Sequence, residues 1–236
     1  MLSIATLNIH NFCDSEQLDS TYKLIHFFFY CQFDIIALQE VDDINKLKPI
    51  VGDYHYVYNR HNAILSKYPM EDLIQQKTKE RYVSVVISLP NDNKVCVTNV
   101  HLNYKNEQIR TQEMETIQKM IDPFVEQYPS ILLGDFNALT KRDYANKAWH
   151  EIYKTRKFGK WELPTHKLTD KIKKQWDDSK KYAGSPTILE TCRYNTRIDY
   201  IYVTDKIHVF KYEVLQTIPH ISDHNAVIIH ISDSFN

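Results

Sequence analysis

Short apolar runs rich in β-branched residues recur along the chain, and several of them end at an acidic, amide or imidazole side chain. Three examples are SIATLN, IIALQE and ILLGDFN, which end at Asn8, Glu40 and Asn137. Such runs are typical of buried strands. Because burying an unpaired polar group is costly, polar strand ends are best tolerated where they neutralise one another or a metal ion.

The rest of the chain alternates further strands with helices. Strands are also predicted at 54–58, 62–66, 81–89, 94–102, 197–203, 208–216 and 224–231. The turn sequence PNDN at 90–93 joins two of them as a hairpin. This mixture predicts an α/β sandwich in which two sheets pack face to face with helices outside. A doubly wound parallel sheet is the alternative.

Two segments show the apolar period of a helix. In the first, the predicted apolar stripe is Leu18, Tyr22, Ile25 and Phe29. Asp14 and Gln17 are expected to form a capping box for this helix. The second helix is predicted over residues 106–128, where Pro123 is expected to bend or end it.

Length and composition indicate one domain over residues 1–236, because the chain has no linker-like segment and no internal repeat. The longest aromatic cluster, HFFFYC at 26–31, is too short to span a membrane. The N-terminus has no basic segment ahead of an apolar block, so we expect an intracellular protein, cytoplasmic or nuclear. The four cysteines lack zinc-site spacing and are expected to be reduced thiols.

The charge distribution is uneven. Net charge is −1, which disfavours binding of nucleic acid by bulk charge alone, but residues 141–181 carry 13 Lys and Arg against 6 Asp and Glu. This segment is also rich in aromatic residues, a combination that suits a phosphate backbone with stackable bases. We expect a basic aromatic insertion at 141–186, with Lys171, Lys173 and Lys174 contributing to a substrate groove. The alternative is a solvated helical face that covers a sheet edge.

Eight polar residues at strand ends are candidates for a reaction centre: Asn8, Glu40, His101, Asp135, Asn137, Asp199, Asp223 and His224. Taken alone, an Asn or Asp at such a place is usually a turn former, a Glu can stabilise the start of a helix, and a histidine is often a packing residue. Glycine is scarce in this chain, so Gly134 next to Asp135 indicates a close backbone approach. The whole set is more informative than any of its members.

In order along the chain, several motifs resemble those of the endonuclease/exonuclease/phosphatase superfamily. They are Asn8, LQE at 38–40, NAILSKYP at 62–69, NVHL at 99–102, GDFN at 134–137, RIDYI at 197–201 and SDH at 222–224. That superfamily includes the pancreatic deoxyribonuclease, the exonuclease III-type abasic-site endonucleases, the tyrosyl-DNA phosphodiesterases, the inositol polyphosphate 5-phosphatases and the neutral sphingomyelinases. The resemblance implies a four-layer α-β-β-α sandwich of the deoxyribonuclease I type.

The resemblance also implies a divalent metal site. Glu40 would bind the metal with Asn8 beside it, and Asp223 would lie near the metal or a second metal position. Mg²⁺ suits this set because it takes one or two carboxylates and completes its coordination with water and substrate phosphate. Mn²⁺ is the alternative.

Catalytic roles follow by the same resemblance. Asp135 would activate the attacking water, and Asn137 would hold that water or the phosphoryl group. Asp199 would brace His224, whose ring would bind the phosphate or stabilise its charge. His101 would help to protonate the leaving oxygen.

Two arginines are further candidates for substrate binding. Arg81 and Arg197 are each the first residue of a predicted strand, and a guanidinium group suits a phosphate oxygen. The alternative for both is a surface salt bridge.

The expected function is hydrolysis of nucleic-acid phosphodiesters by a monomer that does not bind membranes. The stretch YNTRIDY lacks the Trp expected of the 5-phosphatases, and a secreted sphingomyelinase would need an export signal. A non-nucleic-acid substrate, such as a phosphoinositide, a sphingomyelin-like lipid or a small nucleotide, stays an alternative. So does an inactive phosphate-binding relative, although the acidic and imidazole positions are all present.

Overall fold

The computed structural model describes residues 1–59, 61–73, 81–184 and 189–235, which contain twelve strands and five α-helices. The strands are β1 (Leu2–Asn8), β2 (Ile35–Gln39), β3 (His55–Tyr58), β4 (Asn62–Ser66), β5 (Met70–Asp72), β6 (Tyr82–Ser88), β7 (Lys94–His101), β8 (Ser130–Asp135), β9 (Asp177–Asp178), β10 (Asp199–Val203), β11 (Val209–Leu215) and β12 (Ala226–Ile231). The helices are α1 (Thr21–Cys31), α2 (Lys48–Val51), α3 (Glu107–Gln127), α4 (Asn146–Phe158) and α5 (Lys167–Ile172). Every strand predicted from the sequence is present, with small shifts at its ends.

The strands form two mixed sheets of six strands each. The strand order is β11-β12-β1-β2-β4-β3 in the first sheet and β5-β6-β7-β8-β10-β9 in the second. In each sheet one central pair is parallel, β1 with β2 and β7 with β8, whereas the neighbouring pairs are antiparallel. The doubly wound parallel sheet is therefore excluded.

Apolar side chains separate the layers of this fold. Ile4 of β1 lies in the core between the two sheets. The next residue, Ala5, turns to the outer face of the first sheet, where it packs in a cluster with Leu24 of α1. On the outer face of the second sheet, Leu132 packs in a cluster with Ile117 of α3. This arrangement confirms the predicted four-layer α-β-β-α sandwich, and it explains why the central strands read as continuous apolar runs.

Strand register brings the predicted site residues to one edge of the sandwich. Asp135, at the end of β8, lies opposite His101 on β7 and opposite Asp199 on β10. In the other sheet, Asn8 ends β1 opposite Gln39 of β2, so Glu40 follows directly. β1 contacts both β8 and β10 across the sandwich. Polar residues that are far apart in sequence therefore meet at one place.

The predicted apolar stripe of the first helix is wrong. Leu18, Tyr22 and Phe29 are exposed, and the side chains that α1 buries are Leu24 and Phe28. The predicted capping box is wrong as well, because Asp14 accepts hydrogen bonds from the backbone of Glu16 and Leu18 ahead of the helix. Consecutive aromatic residues in this segment allow more than one stripe, and the sequence alone does not choose between them.

The second helix is close to its prediction. α3 continues beyond Pro123 to Gln127, so the proline does not end it. Its N-cap is Asn106, whose side-chain oxygen accepts hydrogen bonds from the backbone N–H groups of Gln108 and Ile109. No helix in the described part of the chain has the length and apolar character needed to cross a membrane.

The basic aromatic insertion, predicted at 141–186, is described up to residue 184 and divides into two parts. α4 lies beside a groove, whereas α5 packs on α3 in the outer helical layer. Lys171 forms an ion pair with Glu115, and Lys173 forms one with Asp178. Neither of these lysines lines the groove, and nor does Lys174. The structure therefore does not favour substrate binding by these three lysines, because Lys171 and Lys173 are paired with the protein's own carboxylates, and their role in substrate binding stays a prediction.

Candidate active site

The Asn8 side chain joins two carboxylates that come from different sheets. Its amide nitrogen donates to Glu40 Oε1 at 3.0 Å and to Asp135 Oδ2 at 3.1 Å. Its amide oxygen accepts a hydrogen bond from the backbone N–H of His10, which fixes the orientation of the amide. Asn8 is buried, so these bonds are shielded from water. The strand ends predicted to converge do so at this amide.

Glu40 occupies an unusual backbone conformation at the end of β2. Its φ is 56°, in the left-handed region that residues other than glycine rarely adopt. Its second oxygen, Oε2, accepts a hydrogen bond from the Asn11 side chain, which is itself left-handed at φ 52°. Glu40 and the residue that hydrogen-bonds its carboxylate, Asn11, thus both have a left-handed backbone, and such conformations cluster at functional sites.

Asp135 is buried beside another carboxylate. Burial, and after it the charge of Asp199, raise the pKa of Asp135 to about 7, although the nearby His224 and the hydrogen bonds from Asn137 and Asn8 act in the opposite direction. The Asn137 bond comes from its backbone N–H, which donates to Asp135 Oδ1 at 2.9 Å. A carboxyl group that titrates near neutral pH is suited to general base chemistry.

Asp199 and His224 form a buried hydrogen-bonded pair. His224 Nδ1 lies 2.9 Å from Asp199 Oδ2, and His224 Nε2 faces Asp135 Oδ2 at 4.0 Å. Burial by itself lowers the pKa of His224, but the charge of Asp199 and the bond to it raise this pKa well above its usual value. The pair therefore presents a cationic imidazole toward Asp135.

His101 approaches the same two carboxylates as Asn8. Its Nε2 lies 3.8 Å from Glu40 Oε1 and 3.7 Å from Asp135 Oδ2. Burial lowers the pKa of His101 to about 4, although the charge of Glu40 acts in the opposite direction. The ring is therefore neutral near pH 7, which does not favour its predicted role as a proton donor.

Asp223 lies among cationic and imidazole groups. Its carboxylate oxygens are 3.6 Å from His10 Nδ1, 3.5 Å from Arg193 Nε and 3.9 Å from His224 Nε2. Neither His10 nor Arg193 was predicted from the sequence. These neighbours satisfy the Asp223 charge without a metal ion, so the structure does not favour its predicted metal role.

The two arginines predicted to bind substrate lie in different environments. Arg81 is exposed at the end of β6, 3.5 Å from Glu113, and its charge acts on His101. Arg197 is buried, with its guanidinium bonded to Asp143 and Asp178. We therefore do not retain Arg197 as a phosphate ligand, because its charge is already paired inside the protein.

Residues missed by sequence reasoning support the centre from below. Gln39 Nε2 donates to Asn99 Oδ1 at 2.6 Å, which links the two sheets under Glu40. Thr191 Oγ1 accepts hydrogen bonds from the backbone N–H groups of Ile198 and Asp199. Asn99 gives a signal in the sequence, because it interrupts an apolar strand, whereas Thr191 gives none.

Gly134 is needed for the approach of β8 to β7, as its scarcity predicts. Its φ is +130°, and a Cβ atom here would lie 2.1 Å from the carbonyl oxygen of Val100. No other residue type fits this position. The glycine therefore allows Asp135 to lie beside His101.

A groove of about 1050 Å³ opens beside the centre. Asn137 and His224 belong to its lining, and α4 and the loop at 189–197 form its walls. Asn137, at φ 49°, also donates from its side-chain nitrogen to the Leu102 carbonyl oxygen. A substrate in this groove would therefore contact the reaction centre directly.

The oxygen donors around Asn8 fit a divalent cation. Glu40 and Asp135 are hard ligands of the kind that Mg²⁺ and Mn²⁺ prefer, and Asp199 Oδ1 is buried with no hydrogen-bond partner in the described part of the chain. By distance, Asp135, Asp199 and His224 also form a group whose ligand atoms lie within 4.8 Å of one another. In that group, however, His224 Nδ1 is already hydrogen-bonded to Asp199 Oδ2, which occupies one ring nitrogen and one carboxylate oxygen. The donor set therefore fits a cation better on the Glu40 side.

Raising the pH from about 6.5 to about 8.5 without divalent cations is expected to lower the melting temperature. Asp135 and His224 both have folded pKa values above their unfolded values, so their stabilising contribution is lost as pH rises through the folded pKa. His101, whose pKa is lowered to about 4, is neutral in the folded chain across this range, and its unfolded form loses its proton mainly below about pH 7.5, so His101 opposes the trend only at the lower end. Thermal unfolding of the wild type and of Asp135→Ala measures this effect. An equal pH dependence in both proteins would contradict it.

Solved structures with the same fold include proteins of different descriptions. A functionally unknown conserved protein from Enterococcus faecalis is 19% identical, with 99% of this chain and 100% of that chain covered and a TM-score of 0.72. A mannosyl-6-phosphatase from Bacteroides thetaiotaomicron is 17% identical, with 98% and 100% covered and a TM-score of 0.68. Truncated TDP2 from Caenorhabditis elegans is 17% identical, with 98% and 96% covered and a TM-score of 0.65. At these identities the likeness shows the fold alone.

Comparison of sequences identifies the family. No curated protein matches the chain. The sequence profile of the Endonuclease/Exonuclease/phosphatase family, however, matches residues 5–224, which include all the strand-end residues described above. The chain therefore belongs to the endonuclease/exonuclease/phosphatase family.

Proposed function

We propose that the chain is a divalent-metal-dependent phosphodiesterase that hydrolyses nucleic acid. Members of the family are phosphoric ester hydrolases, and the family generally uses a divalent metal. One observation carries the proposal, namely the shared amide of Asn8, which holds Glu40 and Asp135 together beside a groove whose lining includes Asn137 and His224. A carboxylate pair held in this way is costly unless it serves binding or catalysis.

Asp135 is the proposed general base. Its pKa of about 7 lets it take a proton from water near neutral pH, and the hydrogen bonds from Asn8 and Asn137 fix the direction of its carboxylate. Asn137 lines the groove, where its side chain is proposed to hold the water or a phosphoryl oxygen.

His224 is the proposed partner for the phosphate and the leaving group. Asp199 orients the ring through Nδ1 and keeps it cationic, so Nε2 carries a proton toward the groove. A cationic donor stabilises charge on a nonbridging oxygen and can protonate the leaving oxygen. We therefore assign the proton donor role to His224 instead of His101, and His101 is left as a neutral ring 3.8 Å from Glu40 and 3.7 Å from Asp135.

Glu40 is the proposed metal ligand, with Asn8 orienting it. A bound Mg²⁺ or Mn²⁺ would neutralise charge on the phosphate oxygens. Asp135, which the same amide holds, is close enough to act through a water molecule. Arg81 is proposed as an outer contact for the substrate phosphate.

The groove supports a nucleic-acid substrate over a small phosphate ester. Among the described residues that line it, Lys105, Arg156 and Lys160 have no carboxylate within 4.0 Å. Most of the acidic residues of the lining are paired with a basic side chain, namely Asp143, Glu151, Glu162 and Asp223, whereas Glu190 has no such partner among the described residues. Tyr104, Trp161 and Tyr194 expose rings along the same walls. Available cations and rings together suit a strand of phosphates and bases.

Hydrolysis of three substrates tests the proposed function directly. Single-stranded DNA, single-stranded RNA and bis(p-nitrophenyl) phosphate are each incubated with Mg²⁺, with Mn²⁺ and with EDTA. We expect cleavage of the small diester and of at least one nucleic acid, with loss of all activity in EDTA. Turnover that persists in EDTA would contradict the proposal. Binding without turnover would support the inactive relative. Turnover of the monoester p-nitrophenyl phosphate, assayed in parallel, without turnover of any of the three diesters would support a phosphatase.

A further inference from the structure

We propose that the groove contains a subsite for an unpaired nucleotide, formed by Arg156, Trp161, Arg193 and Tyr194, in which a base stacks on the rings and a phosphate binds the arginines. We call these four residues the aromatic subsite. It rests on the proposed function and adds to it a preference for single-stranded over fully paired nucleic acid.

The two rings of the aromatic subsite are exposed although each has an aromatic neighbour. Trp161 and Tyr194 meet edge to face with their ring centroids 4.9 Å apart, yet 46% of Trp161 and 52% of Tyr194 stay exposed. Large aromatic surface on a groove wall is available to a flat ligand. A nucleobase has such a flat surface only when it is not covered by its neighbours in a duplex.

Arg156 supplies a positive charge beside these rings. The one hydrogen bond of its guanidinium to a described residue runs from Nη1 to the Glu162 carbonyl oxygen at 3.4 Å, and no carboxylate of the described residues lies within 4.0 Å of the guanidinium. The Glu162 carboxylate is instead held by Arg110 and by the backbone N–H of Glu107. The half-buried charge of Arg156 is therefore available to an anionic ligand.

Arg193 connects the aromatic subsite to the reaction centre. Its Nε lies 3.5 Å from Asp223, while its guanidinium carbon lies 5.1 Å from the centroid of the Tyr194 ring. Asp223 in turn lies 3.9 Å from His224 Nε2. A nucleotide on the rings is thus next to the groove position where the scissile phosphate would meet His224.

The end of α4 holds the parts of the aromatic subsite in place before a ligand binds. The Trp161 backbone N–H donates to the Arg156 carbonyl oxygen at 2.9 Å. The indole packs so closely on Gly159 that a Cβ atom there would lie 3.1 Å from the ring. A side chain that is already fixed loses little freedom on binding, so it contributes more to affinity.

Binding of a short oligonucleotide in EDTA tests the subsite without any turnover. The probe is a fluorescein-labelled deoxythymidine oligomer of about 20 nucleotides, followed by anisotropy, and the same sequence paired with its complement, which is a stable duplex at the assay temperature, serves as the duplex. We expect the wild type to bind the single strand at least about tenfold more tightly than the duplex. Trp161→Ala is expected to weaken single-strand binding about tenfold, whereas Trp161→Phe keeps a ring and restores most of the affinity.

Matched variants separate the rings from the charges. Phe158→Ala removes another exposed ring. Phe158 is the last residue of α4, is 94% exposed and lies outside the groove lining, so this variant is expected to bind like the wild type. Arg156→Gln is expected to weaken binding and to reduce its dependence on salt. If Trp161→Ala unfolds the protein, Tyr194→Ala takes its place. Equal affinity of Trp161→Ala and the wild type, or preference for the duplex, would overturn the aromatic subsite.

Turnover distinguishes failure of the subsite from failure of the proposed function. With Mg²⁺, Trp161→Ala is expected to lower the ratio of kcat/KM for the oligonucleotide to that for bis(p-nitrophenyl) phosphate about tenfold. An unchanged ratio would overturn the subsite and leave the phosphodiesterase function in place. No hydrolysis of the small diester by the wild type would count against the proposed function itself. Tryptophan fluorescence quenching by a hexose 6-phosphate that is lost in Trp161→Ala, together with no binding of the oligonucleotide, would overturn the subsite in favour of a sugar site.

Discussion

Asp135→Ala is expected to lower kcat for phosphodiester hydrolysis about a thousandfold, because a positioned general base contributes about 10²–10⁴ to the rate. The variant removes the carboxylate that titrates near neutral pH and that faces both His101 and His224. Steady-state kinetics with bis(p-nitrophenyl) phosphate under saturating Mg²⁺ measure the effect. Activity above a few per cent of the wild-type rate would contradict the assigned role.

The loss should not reflect unfolding. Asp135 is buried next to the charge of Asp199, so its removal relieves a repulsion while leaving the strand pairing of β8 unchanged. Circular dichroism and the melting temperature in EDTA check this. Asp205→Ala, which removes an exposed aspartate, is the matched control and is expected to keep wild-type activity.

Glu40→Gln is expected to raise the Mg²⁺ concentration that gives half-maximal activity by about tenfold or more and to lower kcat at any fixed concentration. The glutamine oxygen can still accept the hydrogen bond from Asn8, so the local structure is kept while the charge of the ligand is lost. Titration of activity with Mg²⁺ measures the change. Oligonucleotide binding in EDTA should change much less than the metal dependence does.

Two comparisons make the Glu40 result specific. Asp42→Asn removes a nearby carboxylate that is half exposed and paired with Lys46, and it is expected to leave the metal titration unchanged. Thermal stabilisation by Mg²⁺ gives an independent readout, because a ligand that binds the folded chain raises its melting temperature. Equal loss of metal response and of oligonucleotide binding in Glu40→Gln would count against Glu40 as the ligand.

Much of the fold and the position of the centre can be predicted from the sequence for a simple physical reason. Strands that are buried on both faces are continuous apolar runs, so a polar residue at the end of a run is conspicuous. Asn8, Glu40 and Asp135 are visible in this way, and the register of the sheets brings them together. Asn99 is conspicuous for the same reason, because it is a polar residue within an apolar run, but its hydrogen bond to Gln39 of the other sheet is visible only in the structure.

The parts that could not be predicted depend on neighbours that are distant in sequence. A sequence does not say whether Arg197 faces a phosphate or, as here, two buried carboxylates. It also does not say which histidine becomes cationic. Burial makes His101 neutral, whereas the Asp199 bond makes His224 cationic, and both effects require the folded environment.

The sequence also does not say which cations of the basic insertion are paired with a carboxylate and which are available to a ligand. Lys171 and Lys173 read as part of a cationic surface, but each meets a carboxylate of the outer layer. Arg156 has the same charge and, within the described residues, no such partner. Only the positions of α4 and α5 separate the cations that line the groove from those that form ion pairs within the fold.

The position of a bound divalent cation tests the reaction centre most directly. Crystals of the protein soaked in Mn²⁺, with diffraction data collected at the manganese absorption edge, locate the ion by its anomalous signal. We expect an anomalous peak in contact with the Glu40 carboxylate and on the side of Asn8 that faces Asp135, and its loss in Glu40→Gln. A peak at a distant surface carboxylate, or none near Glu40 under conditions that support turnover, would contradict a shared metal and phosphate centre at these strand ends.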